Sequence, residues 1–208
     1  KWNTTINFAH NKSTVDRIQI RSNSYLPSRQ GLPVNAVFAL KTNGIDESGF
    51  PLFVNKKGET VNTQTIFGLF DPYADFFFFF FSQSNLTDLQ TRDVFTFVGD
   101  ADPKFTGGII NTFKVHNFDL TIATTFNLKQ TVVERPNFNG TQVDRGQNYT
   151  TDILNAWSPT NTGSNIPGIT SATSGTGDSW MAFQWFSPAG APINVYNYLD
   201  TWVHEMSY

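Results

Sequence analysis

One stretch limits the folding options more than any other. Residues 109–128 read IINTFKVHNFDLTIATTFNL, with side chains alternating apolar and polar on both sides of His116-Asn117. From Phe118, the positions Phe118, Leu120, Ile122, Thr124, Phe126 and Leu128 share one face of an extended strand. Asp119, Thr121, Ala123, Thr125, Asn127 and Lys129 share the other. A period of two is the signature of β-structure, and two residues are the shortest common hairpin loop. With His116-Asn117 as the turn, Lys114 falls opposite Asp119 and Thr112 opposite Thr121. Phe113 and Val115 then meet Leu120 and Phe118 on the apolar face. A slip by one residue would move every apolar side chain to the wrong face, so the pattern fixes the register.

An alternating hairpin also suits a soluble β-sandwich. The distinguishing feature is the unequal length of the connections. The turn at 116–117 is minimal, whereas residues 11–106 and 130–205 are long polar stretches on the opposite side. Compact soluble domains seldom carry loops beyond about 15 residues. Outer-membrane barrels combine short periplasmic turns with long extracellular loops, and cross the bilayer in tilted strands of about 9–11 residues. The spacing therefore predicts membrane strands over about 2–10, 108–115 and 118–128. Residues 11–106 and 130–205 become extracellular superstructure. In the first strand, Trp2, Thr4, Ile6 and Phe8 share a face.

Composition points the same way. Phe accounts for 21 of 208 residues, charged residues for only 15%, and helix-favouring runs are scarce, as in an all-β chain. A net charge of −3 without a basic block gives no electrostatic case for nucleic acid. The absence of cysteine excludes disulfides and thiolate metal sites. Val37–Leu40 starts a second extended segment, and residues 43–61 read as small hairpins turning at "ESG" and "NKKG". One helical turn is expected in 82–93, capped by Ser84 or Asn85, and another in Thr150–Trp157, capped by Thr150 or Thr151. "WMAFQWF" (180–186) reads as a hairpin arm. Phe76–Phe81 would put three rings on each face of a strand, as in a segment buried on both sides.

Val98–Leu120, "VGDADPKFTGGIINTFKVHNFDL", resembles the corresponding hairpin of the SusC-like TonB-dependent outer-membrane transporters of Bacteroidetes. "WNTTINFAHNKSTV", "GLPVNAVFALKTNGIDESGFPLFVNKKGE", "ILNAWSPTNTGSNIP" and "WVHEMSY" resemble further segments of that family in the same order. The resemblance implies that this all-β chain is part of a 22-stranded transmembrane β-barrel. It also implies that residues 1–208 are a fragment of the barrel domain lacking the plug and C-terminal strands. The implied function is import of large nutrients, oligosaccharides or oligopeptides, at the bacterial outer membrane. A SusD-like lipoprotein would act outside, and TonB would engage the absent plug region. The other reading is a soluble β-sandwich glycan-binding or adhesin domain.

No nucleophile elbow, Walker A loop or zinc-protease motif is present, so the expectation is a non-enzymatic protein. His10, His116 and His204 are isolated, and "DESG" lacks the spacing of an EF-hand loop. No cofactor or metal is therefore expected, a loop-bound calcium being without motif support. Trp157, Trp180, Trp185 and Trp202 lie in the second long stretch. Trp157, Trp180 and Trp185 are candidate substrate-binding residues, because indole faces stack on sugars and peptide side chains, although for any single Trp the role of loop-packing anchor ranks ahead of binding.

Overall fold

The computed structural model describes residues 1–18, 28–66, 93–138, 146–169, 184–186 and 192–208. The expectations for Phe76–Phe81 and for Trp180 lie outside these residues, as does all of the helical turn expected in 82–93 except Asp93. The strands are β1 (Trp2–His10), β2 (Ala36–Ala39), β3 (Thr42–Ile45), β4 (Pro51–Val54), β5 (Thr60–Val61) and β6 (Thr96–Asp100). They continue with β7 (Phe105–Val115), β8 (Phe118–Leu128), β9 (Gln130–Val133), β10 (Gln184–Phe186), β11 (Pro192–Asn194) and β12 (Val203–Met206). Short helical turns lie at Thr63–Ile66, Thr151–Asn155, Val195–Tyr198 and Asp200–Trp202, and Asp93 and Val94 are also helical. The chain is all-β, and its sheets do not close into a barrel.

Three long strands form one antiparallel sheet in the order β1-β7-β8. The hairpin has the register read from the sequence: Lys114 pairs with Asp119, Thr112 with Thr121, Phe113 with Leu120 and Val115 with Phe118. His116 adopts φ 51°, the left-handed conformation that a two-residue turn needs to match the twist of its strands. β8 has the expected bounds. β7 begins three residues before the expected 108, because Phe105, Thr106 and Gly107 continue to pair with Leu128, Asn127 and Phe126. On its other side β7 pairs with β1 over the whole of Trp2–His10, from Trp2 opposite Phe113 to His10 opposite Phe105.

Both long excursions leave the sheet at the end opposite the turn, after His10 and after Leu128. At that end Asn11 N–H donates to the Lys104 carbonyl (2.9 Å), closing the base of the first excursion. Within it, β3-β4-β5 form a meander turning at the two expected points. Asp46 Oδ1 accepts from the amides of Ser48 (2.8 Å) and Phe50 (2.9 Å), and Gly49 takes φ 89°. Asn55 Oδ1 accepts from the amides of Lys57 and Glu59, each at 2.9 Å, and Gly58 takes φ 81°. These side chains supply the local hydrogen bonds of an Asx turn, and the glycines supply the positive φ.

The second excursion starts at Lys129, whose φ of 57° breaks the alternation of β8. β9 then pairs with β12, Met206 opposite Gln130. Below that break, the Tyr208 amide donates to the Asn127 carbonyl (2.8 Å), and the Asn127 amide donates back (2.5 Å). Between these pairs one strand has advanced two residues and the other three, so Lys129 sits in a bulge. Residues 150–157 form a 3-10 turn, Thr151–Asn155, rather than an α-helix, and the Thr150 side chain makes no cap bond. Five residues without a side-chain cap are too few to sustain the α-helical ladder.

The two excursions share one core: Phe38, Leu40, Phe53, Phe95, Phe138, Val195, Tyr196, Leu199 and Trp202. β2 pairs with β6, and Leu40 makes a parallel bridge with Leu199. Thr42 N–H and Oγ–H both donate to Asp200 Oδ1, at 3.1 and 2.5 Å. The excursions thus form one packed cap.

Candidate functional site

The chain presents two surfaces with chemical character: the apolar face of the long sheet and the clefts of the cap. The sheet face is built in rows of three: Trp2, Phe113 and Leu120; Thr4, Asn111 and Ile122; Ile6, Ile109 and Thr124; Phe8, Gly107 and Phe126; His10, Phe105 and Leu128. Aromatic rings gather at the two ends and aliphatic side chains in the middle. Near the turn, Trp2 stacks on Phe113 with centroids 5.8 Å apart. At the cap end, Phe8 lies 5.7 Å from Phe105 and 6.3 Å from Phe126, and His10 lies 4.9 Å from Phe105.

Gly107 is needed for this arrangement. A Cβ there would collide with the Phe126 ring and the Asn7 carbonyl, so the missing side chain lets the ring cover the backbone. Asn111 is the amide on this face, and it is satisfied within the row. Its Oδ1 accepts from Thr4 Oγ–H (2.7 Å) and from Trp2 Nε1–H (3.2 Å). The apolar side chains are open: Phe118 is 81% exposed, Trp2 69% and Leu120 56%. The opposite face carries Asn3, Thr5, Asn7, Thr112, Thr121 and Thr125, with Lys114 Nζ donating to Asp119 Oδ2 at 2.9 Å.

The expected binding residues fall in different surroundings. Trp157 is half-buried. The Cε3–Cζ3 edge of its indole packs on Gly49 and Gly168, and its amide donates to the Ile166 carbonyl (2.8 Å). It borders a shallow cleft with Ile45, Asp46, Glu47, Pro159 and Thr162. Trp185 lies in β10, opposite Ile193. Trp202 is a core residue, with Nε1–H donating to the Tyr196 carbonyl (2.7 Å). Trp157 thus has one edge engaged in packing and Trp202 is wholly structural, and the two do not assemble into one aromatic platform. Burial pushes the Tyr196 phenol well above its ordinary pKa. Among the described residues, no three His, Asp or Glu side chains come together as metal ligands.

Sequence reasoning put Trp2 and Phe8 on one face but missed the two aromatic rows. The signal was available: aligning 2–10 against 105–113 brings the rings into rows.

No protein-family model matches the chain. Over 183 aligned residues it is 25% identical to TonB-dependent receptor P3 of Formosa agariphila. That similarity covers 80% of this chain and 16% of the receptor, so the chain spans a small part of its relative's length. The chain is thus distantly similar, over most of its length, to a TonB-dependent receptor.

Proposed function

We propose that this chain is part of the wall and outer cap of a SusC-like TonB-dependent importer of the bacterial outer membrane. The observation that carries this reading is the exposed apolar face with an aromatic row near each end. An 11-residue strand such as β8 runs about 37 Å at ~3.4 Å per residue. Tilted near 45°, it spans about 26 Å, close to the ~25 Å apolar band of an outer-membrane barrel, which is flanked by aromatic girdles. A soluble sandwich would instead need a second sheet over Phe118, Leu120 and Ile122, which stand exposed here.

In this reading β1, β7 and β8 are wall strands of a 22-stranded barrel, their Asn- and Thr-rich face lines the lumen, and the His116-Asn117 turn is periplasmic. The protein is a transporter rather than an enzyme. The cap meets a SusD-like lipoprotein and helps to enclose an oligosaccharide or oligopeptide, with Trp157, Trp180 and Trp185 as the loop aromatics available to it. TonB acts on a plug elsewhere in the protein. The similarity to a TonB-dependent receptor over 80% of the chain supports this placement.

The two faces of β8 supply the test. In the full-length protein folded into lipid bilayers, Ile122→Arg, in the middle rows of the face, places a guanidinium in the apolar band. It should cost about 2–4 kcal/mol of folding free energy if near the midplane. Thr121→Arg, one residue along on the polar face, should cost less than about 1 kcal/mol. Equal small effects at both positions would mean that neither face meets lipid, and the importer reading would fall.

A further inference from the structure

A second cleft lies in the cap, away from Trp157, between β2 and the segment running from Val195 to β12. Val37, Phe38, Val133, Tyr198 and Val203 supply apolar walls, and Arg135 stands at its edge. Among the described residues lining the cleft, Arg135 is the one that is charged, and none is a carboxylate.

Its guanidinium is held but, among the described residues, forms no ion pair. Nε–H donates to the Asn197 carbonyl (2.8 Å), and the guanidinium carbon lies 5.9 Å from the centre of the Tyr198 ring. Tyr198 is itself fixed by an edge-on contact with Phe95, centroids 5.6 Å apart. With Nε occupied by a backbone carbonyl, the two terminal nitrogens remain as a planar donor pair. Such a fork matches the two oxygens of a carboxylate, and its pre-set orientation lowers the ordering cost of binding.

We propose that this cleft is a binding subsite for a carboxylate carried on a compact ring or chain, with Arg135 gripping the acid and the Tyr198–Val133–Val203 wall receiving the carbon skeleton. The carboxylate could come from a uronic-acid saccharide or from an acidic peptide. That this ligand is the cargo rests on the importer reading; that it binds does not. Binding and uptake are therefore scored separately. Sequence reading had no access to the site, because Arg135 is a single cation in "VVERPN" whose partners lie some sixty residues away.

The experiment is equilibrium binding to the full-length protein in detergent, using three probes: trigalacturonate, its methyl ester and triglutamate. Trigalacturonate or triglutamate should bind, whichever is the source of the acid. If the saccharide binds, its neutral ester should bind at least tenfold more weakly. Arg135→Gln should weaken the acidic probe at least tenfold. Arg135→Lys keeps the charge without the fork and should weaken it several-fold. Lys57→Gln, a charge change on an exposed turn, should leave binding unchanged. An unaltered melting profile for Arg135→Lys guards against a folding artefact. Failure of both acidic probes to bind, equal binding of ester and acid, or full binding by Arg135→Gln would each overturn the site. Loss of uptake with intact binding would count against the importer reading alone.

Discussion

The long sheet and the cap draw on the same Phe- and Trp-rich composition and use it in opposite ways. In the cap, Phe38, Phe53, Phe95 and Trp202 are buried, and elements of two to five residues depend on that burial to hold them. In the sheet, Trp2, Phe8 and Phe118 are exposed, while strands of 9 to 11 residues are held by unbroken backbone ladders. An element that satisfies its own backbone through long pairing can leave its side chains to the surroundings. An element too short to do so needs a core. On the importer reading the sheet is a piece of wall, where backbone groups must pair and the outer edges of β1 and β8 would meet neighbouring strands, and the cap is a water-exposed domain.

The comparison is most exposed at Trp202. Trp202→Ala should empty the centre of the cap and cost about 3–5 kcal/mol of its stability. Hydrogen exchange should accelerate across β2, β6 and β12 and leave the amides of residues 118–126 unchanged. If β8 amides accelerate equally, sheet and cap are one cooperative unit and the contrast is false.

Alkaline pH should also separate the regions. The buried Tyr196 phenol titrates above its ordinary value of 10.0. The folded cap therefore holds this proton where the unfolded chain loses it. The stability this contributes is complete below about pH 10 and declines as pH rises past that value, by up to ~1.4 kcal/mol per pH unit. Cap melting followed from pH 9 to 12 should show the decline, and Tyr196→Phe should reduce its slope. A slope unaffected by the substitution would assign the alkaline loss to other groups.

The smallest expected effect is at the turn end of the sheet. Lys114 and Asp119 form an exposed cross-strand pair, worth about 0.2–1 kcal/mol. A double-mutant cycle to alanine should return a coupling in that range. A coupling of several kcal/mol would mean that this polar face is shielded from water, which would sharpen the picture of a closed lumen.

How much could be read from sequence follows the same division. The hairpin was legible down to individual partners because a two-residue turn and a period of two leave a single register that keeps its faces clean. The turns at Asp46–Phe50 and Asn55–Glu59 were legible because each is decided within five residues. The cap core was not. Leu40 pairs with Leu199 and Trp202 covers Tyr196, and no local pattern announces partners that far apart or elements that short. The loop tryptophans could be nominated only by residue type. Of those, Trp202 proved to be a buried hydrogen-bond donor, and Trp157 half anchor and half cleft wall.

The bridge between Leu40 and Leu199 also sets an order of events in time. The Leu40 amide donates to the Tyr198 carbonyl (2.7 Å), and the Asp200 amide donates to the Leu40 carbonyl (3.0 Å). Closing a loop of about 160 residues costs roughly 4–5 kcal/mol by the logarithmic rule, against about 1 kcal/mol for a hairpin loop. The hairpin at His116-Asn117 can form within microseconds of its synthesis. The cap must wait until residues 195–202 emerge. In the interval Phe38, Phe53 and Phe95 lack the side chains that cover them, an aggregation hazard of the kind chaperones manage. A chain of this design should therefore depend on a holding chaperone during the interval between making residue 40 and making residue 202.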